Sequence, residues 1–277
     1  MAQTFGGWGL AELSELARIA AAFVSARRED EVLSRYPGAH PESLEEAYRI
    51  QDLALSLWPD RVVGWKLGRI ADGLVDRFGA QRLAGPIFKS RLVRNESGAM
   101  VDVPVLRGFA AVEAEIILRV SRPIHSALSF AEASAAIDEI RLGIEVASSP
   151  FSGINDEGPA VTASDFGNNY GLVLGPELSG FAPNELLTAP VELAVDGVQV
   201  GEGRASDMLD GPIGSLAFLT SVLEARGISL EAGSWISTGA LTGVHTVTPG
   251  SVVTATLAGS HTVSCRTVTS GERPHDA

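Results

Sequence analysis

The chain of 277 residues contains a single cysteine, Cys265. One thiol excludes an intrachain disulfide and a cysteine-rich zinc site. Cys265 lies in the alternating run His261-Thr262-Val263-Ser264-Cys265, where it reads as a small semi-apolar strand residue rather than a nucleophile. Basic residues are scarce: 21 against 34 acidic ones, a formal net charge of −13. That balance argues against a nucleic-acid partner, because phosphate binding needs clustered Lys and Arg. No apolar run approaches the roughly 20 residues needed to span a bilayer. The longest, Ile19 to Val24, sits inside a charged amphipathic pattern, so no membrane partner is expected. No basic stretch leads into an apolar run near the start, which makes the cytoplasm the expected compartment.

What is present is enough for a sizeable core. Apolar residues make up 45% and charged residues 20% of the chain, a composition that argues against general disorder. Leu13, Leu16, Ala20, Phe23 and Val24 recur at helical spacing, with Arg27 and Arg28 suited to the C-terminal end of that helix. A second helix starts at Ser43, which with Glu46 matches a capping box, and stops at Pro59. Beyond Pro59 the period changes to that of strands. Strands are expected at 61–68, 111–121, 170–174, 191–195, 235–238, 252–257 and 262–268, and 140–147 reads as either a strand or a helix. A short helix is expected at 130–137. A late helix runs between Asp210 as N-cap and Gly227 as stop. Two helices followed mainly by strands is an α+β order, not βαβ alternation. The chain thus divides into a helical cap (1–60), a β-rich body (61–268) and a flexible tail (269–277). The segment Gly201-Glu202-Gly203-Arg204 reads as a hairpin turn, since it lacks the third glycine of a dinucleotide fingerprint.

Three acids stand where acids are out of place. Glu113 and Glu115 are two apart on the apolar strand AVEAEIILRVS, so they leave the same face. Two carboxylates facing a partly buried space repel, and one tends to take up a proton unless a cation lies between them. A solvated face would instead make both ordinary surface residues. Glu145 stands in a second apolar run, LGIEVA, where a lone acid needs a partner or a metal. Together the three make an all-oxygen site for a hard divalent ion a serious alternative. Lysine is as rare as it could be while still informative: Lys66 and Lys89 are the two in the chain. Lys66 is bracketed by apolar residues in VVGWKLG. It reads either as an acid/base or anion-binding group, or as a side chain snorkelling to the surface.

Four stretches, AYRIQ (47–51), VGWKLG (63–68), VEAEI (112–116) and TGALTG (238–243), together with the later I-E-V acid, resemble the fumarylacetoacetate hydrolase superfamily. The closer branch is that of 2-keto-4-pentenoate hydratases and 4-oxalocrotonate decarboxylases. The resemblance implies a fumarylacetoacetase C-terminal-like mixed β-sandwich roll with a small N-terminal helical part. It also implies Mg²⁺ or Mn²⁺ on Glu113, Glu115 and Glu145, with Lys66 moving protons. The substrate would be a small 2-oxo or 2-hydroxydienoic acid from aromatic breakdown, and the protein a homo-oligomer. A hydro-lyase (hydratase) is placed first, a carboxy-lyase second, and a catalytically decayed binding member third. Asp165, Asn168, Thr238, Gly239, Leu83 and His245 are candidate substrate contacts, with the 238–243 turn offering backbone N–H groups to a carboxylate. Leu83 stands where hydratases of the branch commonly carry an aspartate that handles water. Asp210-Gly211-Pro212 lacks the histidine of the branch's G-H-P. Between Lys66 and Glu113 there is no histidine, which argues against the water-activating His–Glu pair of the C–C hydrolases.

Overall fold

The computed structural model describes residues 10–95 and 98–271. Two helices come first, α1 (Leu10–Glu29) and α2 (Leu44–Leu57). Ser43 caps α2 by accepting from the Glu46 amide at 3.1 Å. The Glu46 carboxylate accepts from the Glu42 amide, so the expected capping box is only half formed. The chain then enters β1 (Val62–Arg69), α3 (Asp72–Phe78), β2 (Arg82–Phe88), β3 (Leu92–Arg94), β4 (Val101–Val105) and β5 (Phe109–Val120). Next come α4 (Phe130–Ala135), β6 (Ile137–Ser149), α5 (Pro159–Ser164), β7 (Asn169–Glu177), α6 (Pro183–Thr188), β8 (Val191–Val195) and β9 (Val198–Gly203). The chain finishes with α7 (Gly211–Ala225), β10 (Trp235–Ser237), β11 (His245–Thr246), β12 (Val252–Leu257) and β13 (His261–Thr269).

Among the described residues the strands form two sheets. The larger runs β2-β1-β10-β5-β6-β7-β3 with β11 also paired to β5, and the smaller runs β4-β13-β12-β8-β9. The large sheet is mixed: β1 pairs β10 and β3 pairs β7 in parallel, and its other pairs are antiparallel. This is the expected α+β architecture. The alternation read in β5 holds, with Val112, Ala114, Ile116 and Leu118 on one face. They join Leu142 and Ile144 of β6, Val253 and Leu257 of β12, and Leu219 of α7 in the main core. The helical layer has its own cluster, in which Phe23 and Ile50 meet Phe151 and Phe166.

Two expectations are corrected. Gly201 to Gly203 are not a turn; they belong to strand β9. The hairpin turns at Asp196-Gly197, both with positive φ (52° and 78°), as a type I′ turn requires. The glycines of β9 instead allow close approach: a Cβ on Gly203 would lie 1.9 Å from the Leu241 carbonyl oxygen. The start of the expected tail is also structured. Thr269 ends β13, and the Ser270 amide donates to the Val105 carbonyl at 3.1 Å. Residues 272–277 of that tail lie outside the described residues. The proposed boundary near residue 60 is crossed by buried bonds, since Gln51 Nε2 donates to the carbonyls of Ala84 (3.0 Å) and Ala163 (2.7 Å).

Candidate active site

Register assembles the three glutamates. Glu113 and Glu115 leave β5 on one face, and β6 pairs so that Glu145 stands directly opposite Glu113. One carboxylate oxygen from each lies within 4.8 Å of the others, and all three side chains are buried. Glu115 Oε2 accepts from Ser237 Oγ (2.5 Å) and from the Gly239 amide (2.9 Å). Glu145 Oε1 accepts from Asn169 Nδ2 (3.0 Å) and lies 3.3 Å from Lys66 Nζ. Lys66 also donates to Asn168 Oδ1 at 3.2 Å, and Asn168 Nδ2 donates to Asn155 Oδ1 at 2.9 Å. β10 explains how Lys66 arrives: it pairs Ser237 with Lys66 on one side and with Ile117 of β5 on the other.

The electrostatics are those of an acid cluster with a single counter-charge, Lys66. Burial first, then the Glu145 carboxylate, push Glu113 up to about 7 against the pull of Lys66. Burial, Glu145 and Glu113 push Glu115 well above the carboxylate range, partly offset by the bonds from Ser237 and Gly239. Burial alone would depress the Lys66 ammonium, but Glu145, Glu113 and Glu115 outweigh it and hold it above the ordinary lysine range. Fully ionised, three carboxylates against one ammonium would leave two negative charges, and without a cation the raised Glu113 and Glu115 relieve that by holding protons. Glu115 Oε1, Glu145 Oε2 and Asn169 Oδ1 are buried with no hydrogen-bond partner. A buried acceptor left without a donor costs about 1–3 kcal/mol, more when charged. The donor set is all oxygen and, once ionised, doubly negative net of Lys66, so these residues fit a hard divalent cation.

A cavity of about 570 Å³ opens onto this cluster, with Lys66, Glu113, Asn168, Thr238, Gly239 and Leu83 in its wall. Four of the six expected substrate contacts therefore face it. The Gly239 amide is already committed to Glu115 and the Thr238 hydroxyl to the Ile116 carbonyl, so the turn does not offer these donors freely. Asp165 and His245 are not among the wall residues. Asp165 is drawn away by Arg27, 2.5 Å from its carboxylate with both side chains buried. His245 belongs to β11 and its Nε2 contacts the Thr242 carbonyl oxygen at 2.7 Å; Val244 lines the cavity instead. The sequence reading missed Asn169, Ser237 as a support for Glu115, Asn155 and Arg27. A second asparagine directly after Asn168 was the one local signal for Asn169.

The cavity wall also carries three arginines. Arg82 is buried and paired with Asp210, whose side chain caps nothing on α7, while Arg69 and Arg204 are about half exposed. Each of the three is paired with an acid, Arg69 with Asp72, Arg82 with Asp210 and Arg204 with Glu202.

The family model for the fumarylacetoacetate (FAA) hydrolase C-terminal domain matches residues 87–268, a span that includes all three glutamates. The chain belongs to this family. Two curated relatives carry the decarboxylase name, within the joint hydratase and decarboxylase branch that the motifs resemble. The 4-oxalocrotonate decarboxylase of Pseudomonas sp. (strain CF600) is 28% identical over 210 residues, covering 75% of this chain and 78% of that protein. That of Pseudomonas putida is 26% identical over 212 residues, covering 76% and 78%. Among solved structures, the 4-oxalocrotonate decarboxylase from Pseudomonas putida G7 complexed with magnesium and adipate superposes with a TM-score of 0.75. It is 22% identical, with 92% of this chain and 98% of that chain covered. The fumarylpyruvate hydrolase from Pseudomonas aeruginosa in complex with Mn²⁺ and pyruvate gives a TM-score of 0.56 at 15% identity, covering 76% and 91%. These likenesses establish the fumarylacetoacetase-like fold. Lys66 and both N-terminal helices precede the span matched by the family model.

Proposed function

We propose that this family member is a divalent-metal-dependent lyase that decarboxylates a small 2-oxo acid of the 4-oxalocrotonate type. The observation that carries this reading is the buried glutamate trio, with its partnerless oxygens, beside a cavity whose wall is apolar at Leu83. Hydration needs a base on the attacking water. Beyond the Lys66–glutamate cluster, the one acid in the cavity wall is Asp207, which is exposed and bonded to the Arg204 amide. Decarboxylation needs no water, and both curated relatives carry that activity in their names. This reverses the order in which the motifs alone rank the two lyases.

Glu113, Glu115 and Glu145 would hold Mg²⁺ or Mn²⁺, which when bound supplies Lewis-acid polarisation of the substrate's 1-carboxylate and 2-oxo oxygens. Ser237 and the Gly239 amide orient Glu115, and Asn169 orients Glu145. As the bond to the departing carboxyl breaks, its electron pair moves through the conjugated chain to the 2-oxo oxygen. Lys66 Nζ, held charged by its neighbours, is placed to donate the proton which that oxygen takes up. Asn168 fixes the ammonium by accepting one of its hydrogen bonds. Arg69 and Arg204 at the exposed side of the cavity attract the anionic substrate. A homo-oligomer working in the cytoplasm belongs to the same reading.

The test is incubation with a 2-oxo-hexenedioate and, separately, with a 2-hydroxypenta-2,4-dienoate, each with Mg²⁺. CO₂ release from the first that stops on adding EDTA is expected. Loss of the dienoate absorbance in the second, without CO₂ from the first, would make the protein a hydratase. Inertness toward both would make it a binding member of the family.

A further inference from the structure

Arg27 lies in the last turn of α1, where a basic residue suits the helix dipole, yet its side chain turns inward and is buried with Asp165. Its Nε donates to Asp165 Oδ1 at 2.5 Å and its Nη2 to Asp165 Oδ2 at 2.9 Å. Nη2 also donates to the carbonyls of Asp165 (3.0 Å) and Ser148 (3.1 Å), and Nη1 to the carbonyl of Asn169 (3.0 Å). Ser149 Oγ donates to Asp165 Oδ2 at 2.6 Å. The guanidinium thus clamps both ends of the segment 165–169 and the end of β6.

That segment is strained. Phe166, Gly167 and Asn168 have φ of +54°, +60° and +56° in succession. Non-glycine residues persist in that region only where their surroundings over-determine them. Directly out of this stretch come Asn168, which accepts from Lys66, and Asn169, which donates to Glu145.

We infer that the Arg27–Asp165 pair is a positioning device: α1, outside the span matched by the family model, sets Asn168 and Asn169 against Lys66 and Glu145. Neither Arg27 nor Asp165 touches the cavity, so both would act through the asparagines. The metal arm of the test rests on the proposed metal centre; the lysine arm does not.

The test compares Arg27→Lys, which keeps the charge but loses the fork, with the milder Ser149→Ala. Val253→Ala, in the core of the smaller sheet and away from the cavity wall, is the control for lost stability. All are measured at a temperature where circular dichroism reports full folding. Calorimetric titration with Mg²⁺ gives the first readout. The second is the Nζ resonance of Lys66 in ¹⁵N-lysine-labelled, metal-free protein, where Lys66 and Lys89 contribute the side-chain signals; Arg27→Lys adds a third signal, set apart by its absence from the wild type and from Ser149→Ala. Outer partners of metal ligands typically govern affinity by about 10–100-fold. A loss of that order is expected for Arg27→Lys, with a smaller one for Ser149→Ala. The Lys66 resonance should move in both, and Val253→Ala should move neither readout. Should Arg27→Lys not fold, Ser149→Ala decides on its own. Unchanged Mg²⁺ affinity and an unmoved resonance in the folded variants, with only the melting midpoint lowered, would reduce the pair to a staple of the fold. A wild-type protein that takes up no Mg²⁺ would overturn the metal centre, while the Lys66 resonance would still decide the positioning.

Discussion

Lys66 shows how a buried charge is decided by what faces it. Desolvation alone would neutralise it, but three carboxylates keep it an ammonium, so it can give a proton and cannot serve as a resting base. Replacing it with alanine removes that donor and none of the three carboxylates. Turnover should fall by about 10²–10⁴-fold, the usual range for a proton-transfer group, with Mg²⁺ affinity by calorimetry largely kept; unchanged turnover would take Lys66 out of the mechanism. Cys265 is the opposite case, a titratable group with no partner. Burial pushes its thiol up to about 12, and only the thiolate reacts. Iodoacetamide should therefore leave native protein unlabelled at pH 8 and label it once denatured; rapid native labelling would contradict the strand packing. Both residues were legible from their surroundings, an apolar bracket around one and strict alternation around the other. Asp165 was not. Its charge marked it as a ligand, but whether a carboxylate faces a cavity or an arginine 138 residues away is a tertiary fact that no local pattern contains.

At the scale of elements, strand alternation placed Glu113 and Glu115 on one face, but only register could bring in Glu145. Pairing β6 one residue out of step would turn Glu145 to the opposite face, which the sequence leaves open. The paired strands β1 and β2 and the 166–168 stretch meet in a similar dependence. Gly85 of β2 pairs with Lys66, and a Cβ there would lie 2.1 Å from the Phe166 carbonyl oxygen and 2.9 Å from Gly167 Cα. Both obstacles are backbone, so neither can swing aside. Gly85→Ala should cost about 1–3 kcal/mol, as overpacking usually does, and should lower activity beyond what the fraction unfolded explains. Thermal melts and turnover per folded molecule separate the two effects; wild-type turnover in the folded fraction would mean that the loop yields without consequence. Among short motifs, Asp196-Gly197 makes the hairpin turn but was passed over in the sequence, and Gly201-x-Gly203 was the distraction. Glycine can mark a turn or a close approach, and only the neighbour across the gap tells which.

Over the whole molecule, the boundary proposed near residue 60 marks a change of architecture across which the site is nonetheless continuous. Gln51 bonds into the β2 strand and α5, and Arg27 into the site loop. The sheets supply the carboxylates and the helical layer holds the loop that completes them. Stability should therefore respond to the site's charge. Metal-free protein buries a glutamate trio in which burial and mutual repulsion favour protonation, with three partnerless oxygens at the site. An ion that binds only the folded state adds about 2.7 kcal/mol at a hundredfold excess over its Kd. A chain near this size gains about 2–4 °C per kcal/mol, so the melting midpoint should rise by on the order of 5–10 °C with Mg²⁺ and return with EDTA. Glu115→Gln removes one ligand charge, so it should lower Mg²⁺ affinity and activity together and shrink that rise. Calorimetric scans of both proteins with and without Mg²⁺ give the comparison. An equal rise in the variant would place the stabilising ion elsewhere on an acidic surface, and the glutamate trio would lose its assignment.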